Sequence, residues 1–177
     1  MSISLAIDTS TSRTIVGVVD SDTVLFEAFY EGATDHGRAL SELVAQALRE
    51  TPPAHRVVVG MGPGPFTGLR VGIAFARTFA LARGIPVLGV CSLDAIVVDQ
   101  SSYTVAVDAR RKEIYWARYH DGVRVDGPHV SKPAEVADFV TDLYPDMAAL
   151  VRASATQNVT QPIYLRRPDA VPTAERG

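Results

Sequence analysis

Two aspartates a hundred positions apart, Asp8 and Asp108, constrain this chain more than any other feature. Each ends a short apolar run. Each is followed by a polar turn and then by a second run rich in β-branched or aromatic residues, 14–19 after Asp8 and 113–119 after Asp108. A strand closed by an aspartate and folded back through a hairpin therefore occurs twice, as in a two-lobed α/β chain built from related halves. The length permits this, because at 177 residues a folded chain buries roughly 70% of the surface its unfolded form exposes. Cys91 is the single cysteine, which excludes a disulfide framework and a cysteine-based zinc site and fits a reducing compartment. Apolar residues make up 47% and charged residues 21%, so a disordered chain is excluded. A net charge of −3 argues against a protein that captures nucleic acid alone. No apolar run approaches the ~18 residues of a membrane span and no leader is evident, so a cytoplasmic protein without membrane contact is expected.

The first ninety residues read β-β-β-α-β-α-β. Strands are expected over 4–8, 14–20, 24–30, 56–61 and 86–90. Leu40, Leu43, Val44, Ala47 and Leu48 fall at i, i+3, i+4, i+7 and i+8, which predicts an amphipathic helix over 36–50 that stops before Pro52-Pro53. A second helix is expected over 67–83, with Gly84 where a C-terminal cap sits. The second half opens with a short helix near 92–99 and strands at 103–108, 113–120 and 123–126, after which only 133–141 and 145–155 look helical. These readings divide the chain into a first lobe over 1–92, a degenerate second lobe with a closing helix over 93–160, and an extended tail over 161–177.

Three segments could carry chemistry. Gly62-Pro63-Gly64-Pro65-Phe66-Thr67-Gly68 follows a strand and opens a helix, a context that can hold phosphate. Its glycine spacing fits neither standard phosphate loop, and Pro63 and Pro65 remove two N–H donors, which favours a rigid turn. In the helix that follows, Gly68, Gly72, Ala76 and Ala80 form a stripe of small residues, and the remaining surface is apolar nearly all round. Such a helix needs cover on two sides, from its own sheet and from either the preceding helix or a partner protein. The turn Asp8-Thr9-Ser10-Thr11 sets a carboxylate and three hydroxyls at a strand end, a weak nucleotide-binding signal against the commoner reading of a capped turn. His36, His55, His120 and His129 form no H-x-x-x-H pair, and no G-x-S-x-G elbow is present. Arg110-Arg111-Lys112 and Arg166-Arg167 read as a solvated turn and tail that could add contacts to an RNA held mainly elsewhere.

Taken together, the run from Leu5 to Thr11, His36-Gly37, the run from Gly62 to Gly72, the run from Gly89 to Ala95 and the run from Asp108 to Tyr115 resemble the TsaB (YeaZ) family. Tyr164-Leu165-Arg166-Arg167-Pro168 is similar to that family's carboxy-terminal end. The resemblance implies a two-lobed actin-like (ASKHA, ribonuclease H-like) fold, here with a shortened second lobe, since 142–146 joins strands to closing helix abruptly. It implies a noncatalytic scaffold that binds the paralogue TsaD, and with it the ATPase TsaE. Together they form N6-threonylcarbamoyladenosine beside the anticodon of tRNAs reading A-starting codons.

On this reading the chain needs no cofactor of its own, ATP and a metal belonging to partner subunits. It reaches tRNA only through the complex and could form a homodimer when TsaD is absent. Leu40, Leu43, Ala47, Gly68, Leu69, Gly72, Ile73, Ala76 and Ala80 are the candidate partner-binding residues, and Asp8, Thr9 and Ser10 a vestigial nucleotide site. Gly72→Leu would then weaken partner binding and spare the fold. Two alternatives are an autonomous ASKHA-type ATP-dependent phosphotransferase working through Asp8, and a protease.

Overall fold

The structure is a computed structural model and describes residues 2–32 and 34–166. Its first sheet has the order β3-β2-β1-β4-β5. β1 (Ile3–Asp8), β2 (Arg13–Asp20) and β3 (Thr23–Glu31) form an antiparallel meander, while β4 (Arg56–Gly60) and β5 (Val87–Val90) run parallel to β1. α1 (His36–Glu50) links β3 to β4, and α2 (Phe66–Arg83) links β4 to β5. Every residue of β1 is buried, as befits a central strand covered on both faces.

The second sheet repeats the first with parts missing. β6 (Ser102–Asp108), β7 (Ile114–His120) and β8 (Val123–Ser131) form a second antiparallel meander, and β9 (Phe139–Val140) pairs parallel with β6, giving the order β8-β7-β6-β9. Where α1 stands between β3 and β4, only a 3-10 turn at Pro133–Glu135 stands between β8 and β9. Counterparts of α2 and β5 are absent among the described residues. The duplicated aspartates keep one geometry: Asp8 Oδ1 accepts from Ser10 N at 2.8 Å and Asp108 Oδ1 from Arg110 N at 2.9 Å. The two-lobed α/β arrangement with a shortened second lobe expected from the sequence is thus present.

Four local expectations change. The helix expected over 133–141 is the 3-10 turn followed by β9. Val136 and Phe139 join Ala106, Ile114 and Trp116 in a small core, and pairing with Thr104 and Val105 overrides the helical spacing. The short helix near 92–99 is a single 3-10 turn, Ser92–Ala95. β8 continues five residues past the expected strand end, with Pro128 tolerated on an edge strand beside a register irregularity.

The fourth change concerns the closing helix, α3 (Met147–Ala153), whose cap is Asp146 accepting from Ala149 N at 2.7 Å. It was expected with the second lobe but packs on the first sheet. Met147, Leu150 and Val151 cover Ala6, Ile15, Val19 and Val58, while α1 and α2 cover the opposite face through Leu40, Val44, Leu69 and Ile73. Gly17 of β2 permits this approach, since a Cβ there would stand 2.6 Å from Met147 Cβ. The second sheet closes against Cys91, Leu93 and Ile96 through Val105, Val107, Tyr115, Ala117 and Tyr119.

The chain after α3 returns across both sheets. Val159 N donates to Gly89 O at 2.8 Å, covering the edge of β5, and Ile163 N donates to Met61 O at 2.7 Å. The Tyr164 ring sits 4.9 Å from that of Phe66, and Arg166 reaches Ala109 O at 2.8 Å and pairs with Glu113. Of the tail expected over 161–177, residues 161–166 are thus a packed strap, and 167–177 lie outside the described residues. Among the described residues no helix is long and apolar enough to cross a membrane.

If α3 is the back cover of the first sheet, Leu150→Ala, at a fully buried position, should cost about 2–5 kcal/mol in urea unfolding. A loss below half of that range would place α3 outside the core.

Candidate functional site

The end of β1 is a sealed corner. Asp8 is fully buried; its Oδ1 accepts from Ser10 N and, at 2.7 Å, from Ser10 Oγ, and its Oδ2 accepts from Ser92 Oγ at 2.6 Å. Burial pushes the Asp8 carboxyl above the usual range, and the bonds from Ser92 and Ser10 pull against that shift. Ser92 Oγ also accepts from Gly62 N at 3.2 Å, so the corner ties the β1 turn to the start of the 3-10 turn and to the Gly-Pro loop. Thr9 and Ser10 are each 1% exposed, and Thr9 Oγ1 donates to Gly68 O at 2.8 Å. The residues expected as a nucleotide site are therefore brought together, but their polar atoms are spent on one another. Asp108, by contrast, is exposed on its hairpin, so the duplicated carboxylates do not meet in a common acid/base site. Among the described residues no three His, Cys, Asp or Glu side chains converge as metal ligands.

The small-residue stripe of α2 faces inward. A Cβ at Gly72 would overlap Thr9 Oγ1, and one at Gly68 would stand 2.9 Å from His36 Nε2 and 3.0 Å from Thr9 O. Leu40, Ala47, Leu69, Ile73, Ala76 and Ala80 are buried in the first-sheet core, and Leu43 is half-buried against it. All nine candidate partner-binding positions thus lie on or beside the internal face. The stripe lets the helix approach its own β1 turn, with α1 alongside, and this close approach offsets the propensity cost of two helical glycines. The expectation that Gly72→Leu spares the fold is corrected for the same reason.

The opposite face of α2 is open. Ala74, Arg77, Thr78 and Leu81 follow one another at helical spacing and are exposed, with Leu81 at 83%. Arg77 donates to Thr160 O at 2.8 Å, so the outer face is continuous with the returning chain. Beside it α1 exposes Arg38, Ser41, Glu42, Ala45 and Arg49, with Arg38 and Glu42 paired at 3.0 Å. Sequence reasoning missed Ala74 and Leu81, although a helix apolar all round whose small stripe meets its own lobe must expose its remaining apolar residues.

A family model described as TsaD: tRNA N6-adenosine threonylcarbamoyltransferase matches residues 30–170. An uncharacterized protein of Mycobacterium leprae is 43% identical over 204 residues, covering 97% of this chain and 57% of the relative. The tRNA threonylcarbamoyladenosine biosynthesis protein TsaB of Escherichia coli is 32% identical over 128 residues, covering 65% of this chain and 54% of that protein. This chain belongs to the TsaB family. It spans little more than half the length of these two relatives. The solved structure of YeaZ from Pseudomonas aeruginosa superposes with a TM-score of 0.75 at 23% identity, covering 93% of this chain and all of that one, which shows the shared fold. Within the TsaB fold, the residues read from the sequence as interface are core, and the exposed side of the same helix is the available surface.

Two outcomes follow for this TsaB-family chain. Gly72→Ala should destabilise by about 1–3 kcal/mol through overpacking against Thr9, and Gly72→Leu should fail to give a cooperatively folded protein in thermal melts. For Asp8, a folded pKa raised above its unfolded value means a contribution fully present at low pH and lost as pH rises through the folded value. The stability difference between wild type and Asp8→Asn, measured by urea unfolding, should therefore move in favour of wild type as pH falls. A difference independent of pH would contradict the sealed corner.

Proposed function

We propose that this chain is a noncatalytic accessory subunit in tRNA threonylcarbamoyladenosine formation. It binds a TsaD-type paralogue through the outer face of α2 with the adjoining face of α1, engages a TsaE-type ATPase through that pair, and meets tRNA within the assembly. The observation that carries the reading is the exposed face of α2, where Leu81 is 83% exposed while Leu69 and Ile73 of the same helix are buried in the first-sheet core. An uncovered leucine beside Ala74 and Thr78 leaves room for a close-packed partner helix, while Arg70 and Arg83 flank the face with charge. The sealed state of Asp8 supports an accessory over a phosphotransferase role, because a carboxylate holding three internal hydrogen bonds has no open side for a metal-bound nucleotide. The names of the TsaB relatives support the pathway. The absence of a spanning helix among the described residues is compatible with work in the cytoplasm.

The test is reconstitution of the modification from TsaD, TsaE, tRNA and threonylcarbamoyl-adenylate, with and without this chain. Modified adenosine should depend on its presence. Leu81→Glu should keep the wild-type melting temperature, yet lose co-elution with TsaD on a sizing column and reduce modification at least tenfold. Asp8→Asn should retain modification. Full modification without the chain, or undiminished binding by Leu81→Glu, would overturn the reading.

A further inference from the structure

A cleft of about 180 Å³ opens between the first turn of α2 and the β6–β7 hairpin. Thr11, His36, Gly64 and the first turn of α2 line one wall; Arg110, Arg111 and Tyr115 line the other, and Tyr164 with Arg166 closes the end. The start of α2 is bare: Pro65 at the cap position provides no side-chain bond, and no acidic residue stands in the first turn. Leu69 N is the first amide of the helix with an acceptor, Pro65 O at 3.0 Å, so the N–H groups of Phe66, Thr67 and Gly68 have no acceptor in the described protein. A helix of 18 residues ends its positive pole here.

A second observation points to the same place. His36 is 5% exposed, its Nδ1 is paired with Thr14 Oγ1 at 2.8 Å, and its Nε2 has no hydrogen-bond partner among the described residues. That nitrogen is directed at Gly68, where a Cβ would stand 2.9 Å from it, so the glycine keeps open the space between imidazole and helix start. In the tautomer in which the Thr14 hydroxyl donates to Nδ1, Nε2 carries the proton and is a donor into the cleft. His36 and Arg110 line the same cleft; burial lowers the His36 pKa, the charge of Asp8 works against that shift and the charge of Arg110 adds to it. Among the described residues the Arg110 side chain pairs with Asp108 at 3.8 Å, with both side chains exposed, a weak hold on its charge. Arg166, committed to Ala109 O and Glu113, steadies the hairpin that carries Arg110.

We propose that the first turn of α2, His36 Nε2 and Arg110 form a binding site for a phosphate group. Amide donors from one lobe, an imidazole beside them and an arginine from the other lobe line one cleft, the kinds of donor that a tetrahedral oxyanion needs. The volume is below the roughly 300–1,000 Å³ of pockets that enclose whole drug-sized ligands, so the site takes a phosphate or the phosphate end of a small ester. Asp8 is sealed behind the turn and offers no atom to the cleft, although its charge acts on His36. The site is separate from the outer face of α2, and its test uses this chain alone.

Inorganic phosphate is titrated into the full chain at constant ionic strength, with chloride as the control, while NMR follows the amides of 66–68 and the His36 ring. A parallel titration uses adenosine 5′-monophosphate. Saturable shifts confined to these groups are expected with either ligand. Tighter saturation by the nucleotide would add Phe66 or Tyr164 as a wall for the base, and equal saturation would assign the site to phosphate alone. Thr67→Glu separates binding from folding. A carboxylate in the first turn favours the helix and should keep or raise the melting temperature, while repelling phosphate and weakening its binding at least tenfold. Arg110→Ala should weaken it at least threefold. Shifts that do not saturate, that appear equally with chloride, or that persist undiminished in Thr67→Glu would overturn the site.

Discussion

The structure depends on a carboxylate withdrawn from water. Asp8, at the end of the central strand, accepts from Ser10 twice and from Ser92 once, and through these bonds the β1 turn, the Gly-Pro loop and the segment leading to the second sheet share one anchor. A buried charge without such partners would cost several kcal/mol, so the surrounding chain is fixed by the need to satisfy it. Thr9 extends the anchor to α2 by donating to Gly68 O, and Gly72 makes room for the Thr9 side chain. The position of α2, and hence of every side chain it shows to solvent, follows from that corner.

This arrangement explains how one fold can carry a site without using its most suggestive residues for chemistry. In the first lobe the strand-end aspartate is consumed in holding the lobe together, whereas Asp108, its counterpart in the repeat, keeps the same turn and stays exposed. Among the described residues the second sheet lacks counterparts of α1, α2 and β5 and is small. The chain compensates by sending α3 back to the first sheet and by drawing residues 157–166 across β5 and onto the β6–β7 hairpin. The two sheets are thereby tied by the returning chain as well as by the core around Cys91 and Tyr115.

Much of this was legible in the amino-acid order, and the failures share a cause. The meander of the first sheet, α1, α2 and the duplicated aspartates were readable because each carries its signal within a dozen or so neighbouring residues. β9 was not, since two residues carry no periodicity, and Val136, Phe139 and Val140 at i, i+3 and i+4 imitate a helix until pairing with β6 is known. The stripe of α2 was legible as a stripe but not as inward-facing. Small residues at every fourth position permit close approach by anything, and Thr9 and His36, which do approach, are distant in sequence. The third case is His36 itself: nothing local reveals that a ring at a helix start is buried with one nitrogen left without a partner among the described residues.

The central claim is that α2 turns its small residues inward and offers Leu81 to a partner. Cys91 is buried and its thiol is pushed up to about 12, so cysteines placed on α2 can be read individually with a maleimide. Ala76→Cys and Leu81→Cys should be labelled in the isolated chain and again with a TsaD-type partner in excess. The account predicts rapid labelling at 81 that the partner suppresses, and no labelling at 76 in either sample. Rapid labelling at 76 in the isolated chain, or labelling at 81 unchanged in a formed complex, would contradict it.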